Sequence, residues 1–170
     1  MEIKICSKDD IDELVFISNR SYRDHYTYLW YDNGEDYIKS NFSYFKLNEE
    51  LSDPNSIFYL IYFENKTVGY LKLNIDKAIE KYSSTVALEL ERIYFIKNAA
   101  GKGLGKLTID FVFDYARKKN KTLVWLKAMD SSKAVDFYKK QDFFICNEYY
   151  LTFPTMKNEF KKILVMCKEI

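Results

Sequence analysis

The spacing of apolar residues changes period along the chain, and each change predicts an element. "EIKIC" (2–6) predicts a short strand. "KDDIDELVFISNRSYRDHY" after it predicts a helix with Ile11, Leu14, Val15 and Ser18 on one face. Ser7 suits the N-cap of that helix, and acidic residues fill its first turn. A second helical stretch, about 34–49, carries Tyr37, Ile38, Phe42 and Phe45 at helical spacing. "SIFYLIYFENKTVGYLKLNID" reads as a hairpin that turns at "ENKT". In "STVALELERIYFI" (84–96) the residues alternate: Val86, Leu88 and Leu90 on one side, Ala87, Glu89 and Glu91 on the other. A glycine-bearing segment and a helix to about Lys119 follow. "RKKNK" ends that helix, with Asn120 as its stop. "TLVWLKAM" (122–129) is a strand and "DSSKAVDFYKKQ" (130–141) a short helix. "FFICNEYYLTF" and "FKKILVMCKEI" are final strands, with Pro154 and "MKNE" between them. The order is β-α-α-β-β-β-α-β-α-β-β. It predicts a single α/β domain over 1–170, with a mixed, largely antiparallel, twisted sheet of about seven strands and helices on both faces.

Composition narrows the class. Of 170 residues, 48% are hydrophobic, which excludes a disordered chain. The start, "MEIKICSKDDIDEL", lacks the basic-then-apolar order of a secretory signal, and "IFYLIYF" is too short to cross a bilayer. Cys6, Cys146 and Cys167 are widely spaced, without a CxxC pair, and the chain has one histidine. This argues against a metal site or a disulfide framework and for a reducing cytoplasm. Residues 1–99 hold 12 basic and 17 acidic side chains, and residues 100–170 hold 14 and 8. An anion would prefer the second half, although both halves also suit the solvated faces of one domain. Net charge is +1 and "RKKNK" is a short basic run, so nucleic acid is not expected as a partner.

"AAGKGLGKL" (99–107) carries glycine at 101, 103 and 105, between a strand and a helix. A P-loop would need glycine at Ala100 and Ser or Thr at Leu107. A dinucleotide fingerprint would need glycine at Lys106 or Thr108. The glycine loop of an adenosylmethionine-binding fold opens the sheet, and too little chain follows Gly105 for the parallel strands that would remain. What is left is a loop at a helix N-terminus. Its free N–H groups from Lys102 to Leu107, with Lys102 and Lys106, suit a diphosphate. A plain glycine-rich connector fits the same residues.

"LERIYFIKNAAGKGLGKLTIDFVFDYA" resembles the coenzyme A loop of the GNAT superfamily of N-acetyltransferases, whose pattern is [QR]xxGx[GA]. "VWLKAMDSSKAVDFYKKQDF" resembles that family's next block, NxxAxxFYxxxGF after a strand. The strand order is also similar. Ala100, Ser131 and Asp142 depart from the pattern, standing where Gln or Arg, Asn, and Gly are usual. The resemblance implies acetyl-CoA as acyl donor, with no metal. Gly101, Lys102, Gly103, Leu104, Gly105 and Lys106 would lie at its diphosphate. The backbone of Ile93, Tyr94 and Phe95 would hold the pantetheine and acetyl parts as an added strand does, the Phe95 N–H polarising the thioester carbonyl. Ser131, Lys133 and Lys140 would complete the donor site. Tyr138 would be the acid for the leaving thiolate, although its spacing also suits a core tyrosine.

Attack on the thioester needs a neutral amine. Glu89 or Glu91 could take its proton, directly or through water, unless both simply face solvent at a strand edge. Aromatic residues crowd 22–45. Tyr26, Tyr28, Trp30 and Tyr31 are candidates to hold a cationic acceptor, and most of the other rings suit the core. His25 reads as a structural or surface residue. The expected activity is acetyl transfer to a primary amine of a small molecule, a polyamine among the candidates, by direct attack in a ternary complex. A catalytically weak acyl-CoA-binding module and a protein or peptide N-acetyltransferase are the alternatives. An edge strand near the C-terminus is compatible with a monomer or a homodimer.

Overall fold

The computed structural model describes residues 1–170. β1 (Glu2–Ile5) leads through a short turn into α1 (Ile11–Tyr26), and then come α2 (Glu35–Asn41) and α3 (Tyr44–Leu51). β2 (Ser56–Phe63), β3 (Lys66–Asn74) and β4 (Ala87–Phe95) form a meander, followed by α4 (Leu104–Lys118). β5 (Leu123–Met129), α5 (Ala134–Lys139), β6 (Phe144–Tyr150) and β7 (Lys162–Glu169) complete the fold. One seven-stranded sheet has the order β1-β2-β3-β4-β5-β7-β6, and only β4 and β5 pair in parallel. The expected sheet, strand count and element order are present. The second predicted helix is two, because Phe42 leaves helical geometry and Ser43 caps α3 through its side chain on the Lys46 N–H.

Local chemistry explains most boundaries. Ser7 accepts from the Asp9 N–H, and the Asp10 carboxylate accepts from the Ser7 N–H at 2.8 Å, a reciprocal cap at the entry to α1. The β2–β3 turn holds Glu64 and Asn65 at φ 51 and 59, the left-handed pair that a two-residue hairpin needs. Asn120 ends α4 with φ 56. α1 packs on β3 and β4, and Tyr59 of β2 meets Phe111 and Tyr115 of α4 on the other face. The apolar core lies between these layers.

One expectation from the cysteine pattern is corrected. Cys146 in β6 and Cys167 in β7 are joined as a cystine, with Cα atoms 6.1 Å apart. The two lie 21 residues apart in sequence, and the antiparallel pairing of β6 with β7 makes them neighbours. Cys6 is free and buried. No helix is long and apolar enough to cross a membrane.

Candidate active site

The site begins where the sheet comes apart. β4 and β5 pair only from Ala87 with Leu123 to Leu90 with Leu126. Beyond that point β4 continues on β3 as far as Phe95 opposite Gly69, and β5 continues on β7 as far as Met129 opposite Ile163. A wedge opens between them. The Ile96 N–H donates to the Val68 carbonyl, at the end of the β3 ladder. By alternation, Ile93 and Phe95 turn their backbone groups away from β3 and into the wedge. The Tyr94 backbone, also expected to face the donor, instead faces Tyr70 of β3.

A cavity of about 80 Å³ fills the wedge, between Leu90–Tyr94 on one wall and Lys127–Met129, Ser132 and Tyr138 on the other. It shares Tyr26, Glu91, Tyr94 and Lys127 with a larger cavity of about 420 Å³. On its other side it shares Ile93, Tyr94, Ser132 and Ala134 with an open depression that reaches Phe95, Ser131 and Lys133. The three adjoin through these shared residues, and Tyr138 lines the smallest of them.

Tyr138 is 7% exposed, and its ring packs against Phe137 and Phe143. Burial pushes its pKa well above the ordinary phenol value, so the hydroxyl stays protonated and is available as a donor. Glu89 and Glu91 do lie together. Asn74 Nδ2 donates to Glu89 Oε2 at 2.7 Å and to Glu91 Oε2 at 2.6 Å. Neither stands at a strand edge, since β4 is central in the sheet; Glu89 is 3% exposed and the Glu91 side chain 26%. The two differ in their partners. Glu91 is bound by Lys72 at 2.7 Å and Arg92 at 3.2 Å. Burial alone would raise the Glu91 pKa, but Arg92 and Lys72 outweigh it and hold the carboxyl below its usual range. Glu89 has a looser cation, Lys127 at 3.7 Å from Oε1. Under the site, Glu50 of α3 accepts from Arg92 at 2.7 and 3.1 Å and pairs with Lys72 at 3.0 Å.

The glycines serve two purposes. Gly101 and Gly103 have φ of +77° and +74°, and a Cβ on either would meet no atom within 4 Å. They are required by the backbone turn into α4 and leave open space beside it. Gly105 differs, because a Cβ there would stand 3.4 Å from the Phe137 ring of α5. Neither lysine of the loop is free. Lys106 binds Asp110 one turn along at 2.7 Å, and Lys102 lies over the Phe63 ring at 4.9 Å.

Of the proposed acceptor residues, Tyr26 and Trp30 line the large cavity. Tyr28 lies instead at the outer depression with its ring edge on Phe160, and Tyr31 is 69% exposed, outside all these cavities. The reason is backbone pairing. Trp30 bridges Met156, the Tyr31 N–H donates to the Thr155 carbonyl at 2.9 Å, and the Lys157 N–H donates to the Leu29 carbonyl at 3.0 Å. This ladder joins the α1–α2 connection to the β6–β7 connection and, through Leu29, Trp30 and Met156, forms a partial roof over the cavity. Lys140 lines none of these spaces, and Ser131 lines only the outer depression. Ser132 stands at the wedge instead, its hydroxyl accepting from the Ala134 N–H at 3.1 Å. Sequence reasoning missed Ser132, Asn74, Lys77, Lys127 and the roof residues Leu151, Phe153 and Met156. The one signal available was Ser132 as a cap residue beside Ser131.

Comparisons with known proteins agree with this geometry. A model of the Acetyltransferase (GNAT) family matches residues 11–143. An uncharacterised N-acetyltransferase of Lactobacillus delbrueckii subsp. lactis is 31% identical over 136 residues, 78% of each chain. PaiA N-acetyltransferase from Thermoplasma acidophilum, solved in complex with coenzyme A, covers 100% of both chains with a TM-score of 0.75 at 21% identity. A ribosomal-protein-alanine N-acetyltransferase from Brucella melitensis also covers 100% of both chains, with a TM-score of 0.68 at 17% identity. Proteins named for different activities share this fold, so the fold leaves the acceptor to be read from the site. A parallel strand pair that parts beside a glycine turn, within a chain matched along most of its length, has one meaning: the protein belongs to the acetyltransferase (GNAT) family.

Proposed function

We propose that the protein transfers the acetyl group of acetyl-CoA to a primary amine of a small molecule, by direct attack while both are bound. The observation that carries this reading is the roof. A main-chain ladder at residues 29–31 and 155–157 covers part of the acceptor cavity through Leu29, Trp30 and Met156. This cover narrows the approach for a folded protein surface, whereas a small molecule fits a space of about 420 Å³. The coenzyme A bound by the Thermoplasma relative of the same fold supports the choice of donor.

Each group then has a task. The backbone of Gly101–Lys106 offers N–H donors at the start of α4 to the diphosphate. Lys102 and Lys106, held only by a ring contact and an exposed pair with Asp110, add positive charge beside these donors. The donor's pantetheine arm lies in the outer depression past Ser131 and Lys133. Ile93 and Phe95 pair with it in the wedge, and the Phe95 N–H polarises the carbonyl. Glu91 is held anionic and orders the floor with Asn74. Glu89, with the looser cation, takes the amine proton, either directly or through water. Tyr138 holds its proton too strongly to part with it readily. It donates a hydrogen bond to the sulfur as negative charge develops there.

Calorimetric titration with acetyl-CoA, followed by release of free thiol in an amine screen, tests the proposal. Saturable binding with amine-dependent release is expected. Absence of binding overturns the donor assignment. Binding without transfer to any small amine, or transfer to a polypeptide alone, overturns the acceptor assignment.

A further inference from the structure

The large cavity has an uneven distribution of charge, and this bears on what the acceptor carries besides its amine. Five charged side chains line it: Lys77, Arg92 and Lys127 against Glu89 and Glu91. Both carboxylates are already engaged, Glu91 by Lys72 and Arg92, Glu89 by Asn74 and more distantly by Lys127. The two exposed lysines are not matched in this way. Lys77 makes no salt bridge, and the only carboxylate near Lys127 is the one at 3.7 Å. Both belong to the same corner. The Trp125 Nε1–H donates to the Lys77 carbonyl at 2.9 Å, and Lys127 Nζ lies 5.4 Å over the Trp125 ring. Apart from Asn41 and Asn74, the remaining walls are apolar or aromatic, among them Trp30, Tyr37, Leu151, Phe153 and Met156.

We infer that the acceptor is an amine that also carries a carboxylate on a compact apolar or aromatic body, and that Lys77 and Lys127 hold that carboxylate. The inference rests on the small-amine reading of this cavity. Attack requires the neutral amine, and an amine-carboxylate in that form is a monoanion. It matches a lining with one surplus positive charge. A polyamine in its attacking form keeps at least one ammonium, which would find Glu91 already paired, Glu89 committed to the attacking amine and two lysines opposing it. In the bound acceptor the amine sits by Glu89, the carboxylate bridges the lysines above Trp125, and the apolar body lies under the roof. Transfer forms the amide N–C bond and breaks the C–S bond. The amine proton goes to Glu89 and the electron pair to the sulfur.

The test uses a probe that needs no donor. Binding of 3-phenylpropionate and of its neutral amide is measured calorimetrically on the intact protein, at low and high salt. The carboxylate should bind about fivefold tighter at low salt, in keeping with partly exposed ion pairs. That preference should shrink with salt and vanish in Lys77→Met/Lys127→Met, in which both replaced side chains are exposed and folding is not at stake. Equal binding of carboxylate and amide, no saturable binding of the carboxylate, or a preference that survives the double substitution would each overturn the inference. Thiol release with phenylalanine, phenethylamine and spermidine then separates the two claims. Release with phenethylamine or spermidine equal to that with phenylalanine overturns the carboxylate class and leaves small-amine transfer standing. Failure to bind acetyl-CoA would overturn the donor assignment and leave the probe measurement to decide the lysines' role.

Discussion

Glu50 is the residue whose removal tests the electrostatic account of the site's floor. It sits on α3 between Arg92 and Lys72, and side-chain exposures of 11%, 8% and 6% place all three out of bulk water. With Glu91 they form a buried set of two carboxylates and two cations, which the more exposed Lys46 approaches at 3.9 Å from Glu50. Glu50→Gln keeps the shape and deletes one charge, leaving a surplus positive charge in a poorly solvated place. Removing one partner of a buried ion pair costs about 3–5 kcal/mol, because the penalty comes from the unmatched charge. For a chain of this size each kcal/mol lowers Tm by roughly 2–4 °C, so the variant should melt roughly 6–20 °C below the parent. Urea unfolding followed by tryptophan fluorescence gives the free energy directly. The decisive comparison is the compensated pair, Glu50→Gln with Lys72→Met. Lys72 Nζ already lies 5.5 Å from the Phe58 ring centroid, so a methionine finds apolar contacts, and Glu91 then neutralises Arg92 alone. The double variant should recover at least half of the loss. If the single variant costs less than about 1 kcal/mol, the value of an exposed pair, or if the double variant is no more stable than the single, the charges do not act as a buried balanced set.

Three further outcomes follow from the same geometry. Tyr138→Phe should lower kcat roughly 10²-fold and leave acetyl-CoA binding near parental. Its ring contacts persist, and unchanged turnover would remove Tyr138 from the chemistry. Glu91 has its folded-state pKa lowered, so its contribution to stability is full above the unfolded value of about 4.3 and is lost as pH falls through the folded value. Thermal melts of Glu91→Gln should therefore lack part of the acid-side decline of the parent, and an identical decline in both would refute this. Gly103→Ala forces a side chain into φ +74° where nothing collides with it, so backbone strain alone should destabilise the protein by about 1–2 kcal/mol. A neutral result in chemical denaturation would show that the turn relaxes.

The sequence made the scaffold legible because its signals are local. Hairpin turns, caps and alternating strands depend on residues within a few positions of one another, and the glycine turn into α4 is of that kind. The break at Phe42–Ser43 was hidden because the apolar period runs through it. The active site was legible only in part. Tyr138 and the β4 backbone emerge from a resemblance, and the pairing of Glu89 with Glu91 emerges from strand alternation. Their unequal environments depend on Lys72 and Asn74 arriving from β3, which no local window around Glu89 and Glu91 contains. Tyr31 was misplaced for a similar reason, since its direction is fixed by Thr155, more than a hundred residues away. The cystine is another long-range product: Cys146 and Cys167 meet through strand pairing, and their spacing in sequence carries no motif.

The short parallel seam has a mechanical consequence. Four strands, β1 to β4, form one plate and β5, β7 and β6 another, and only four residue pairs sew them together. Stiffness across such a joint is low wherever the ladder is missing, and that is where Ile93 faces Lys127–Met129 across the small cavity. A ligand arm that hydrogen-bonds to the bare edge of one plate while packing against the other works as a splint. The bound protein is then the stiffer of the two states, and release of the spent thiol returns the joint to its compliant condition.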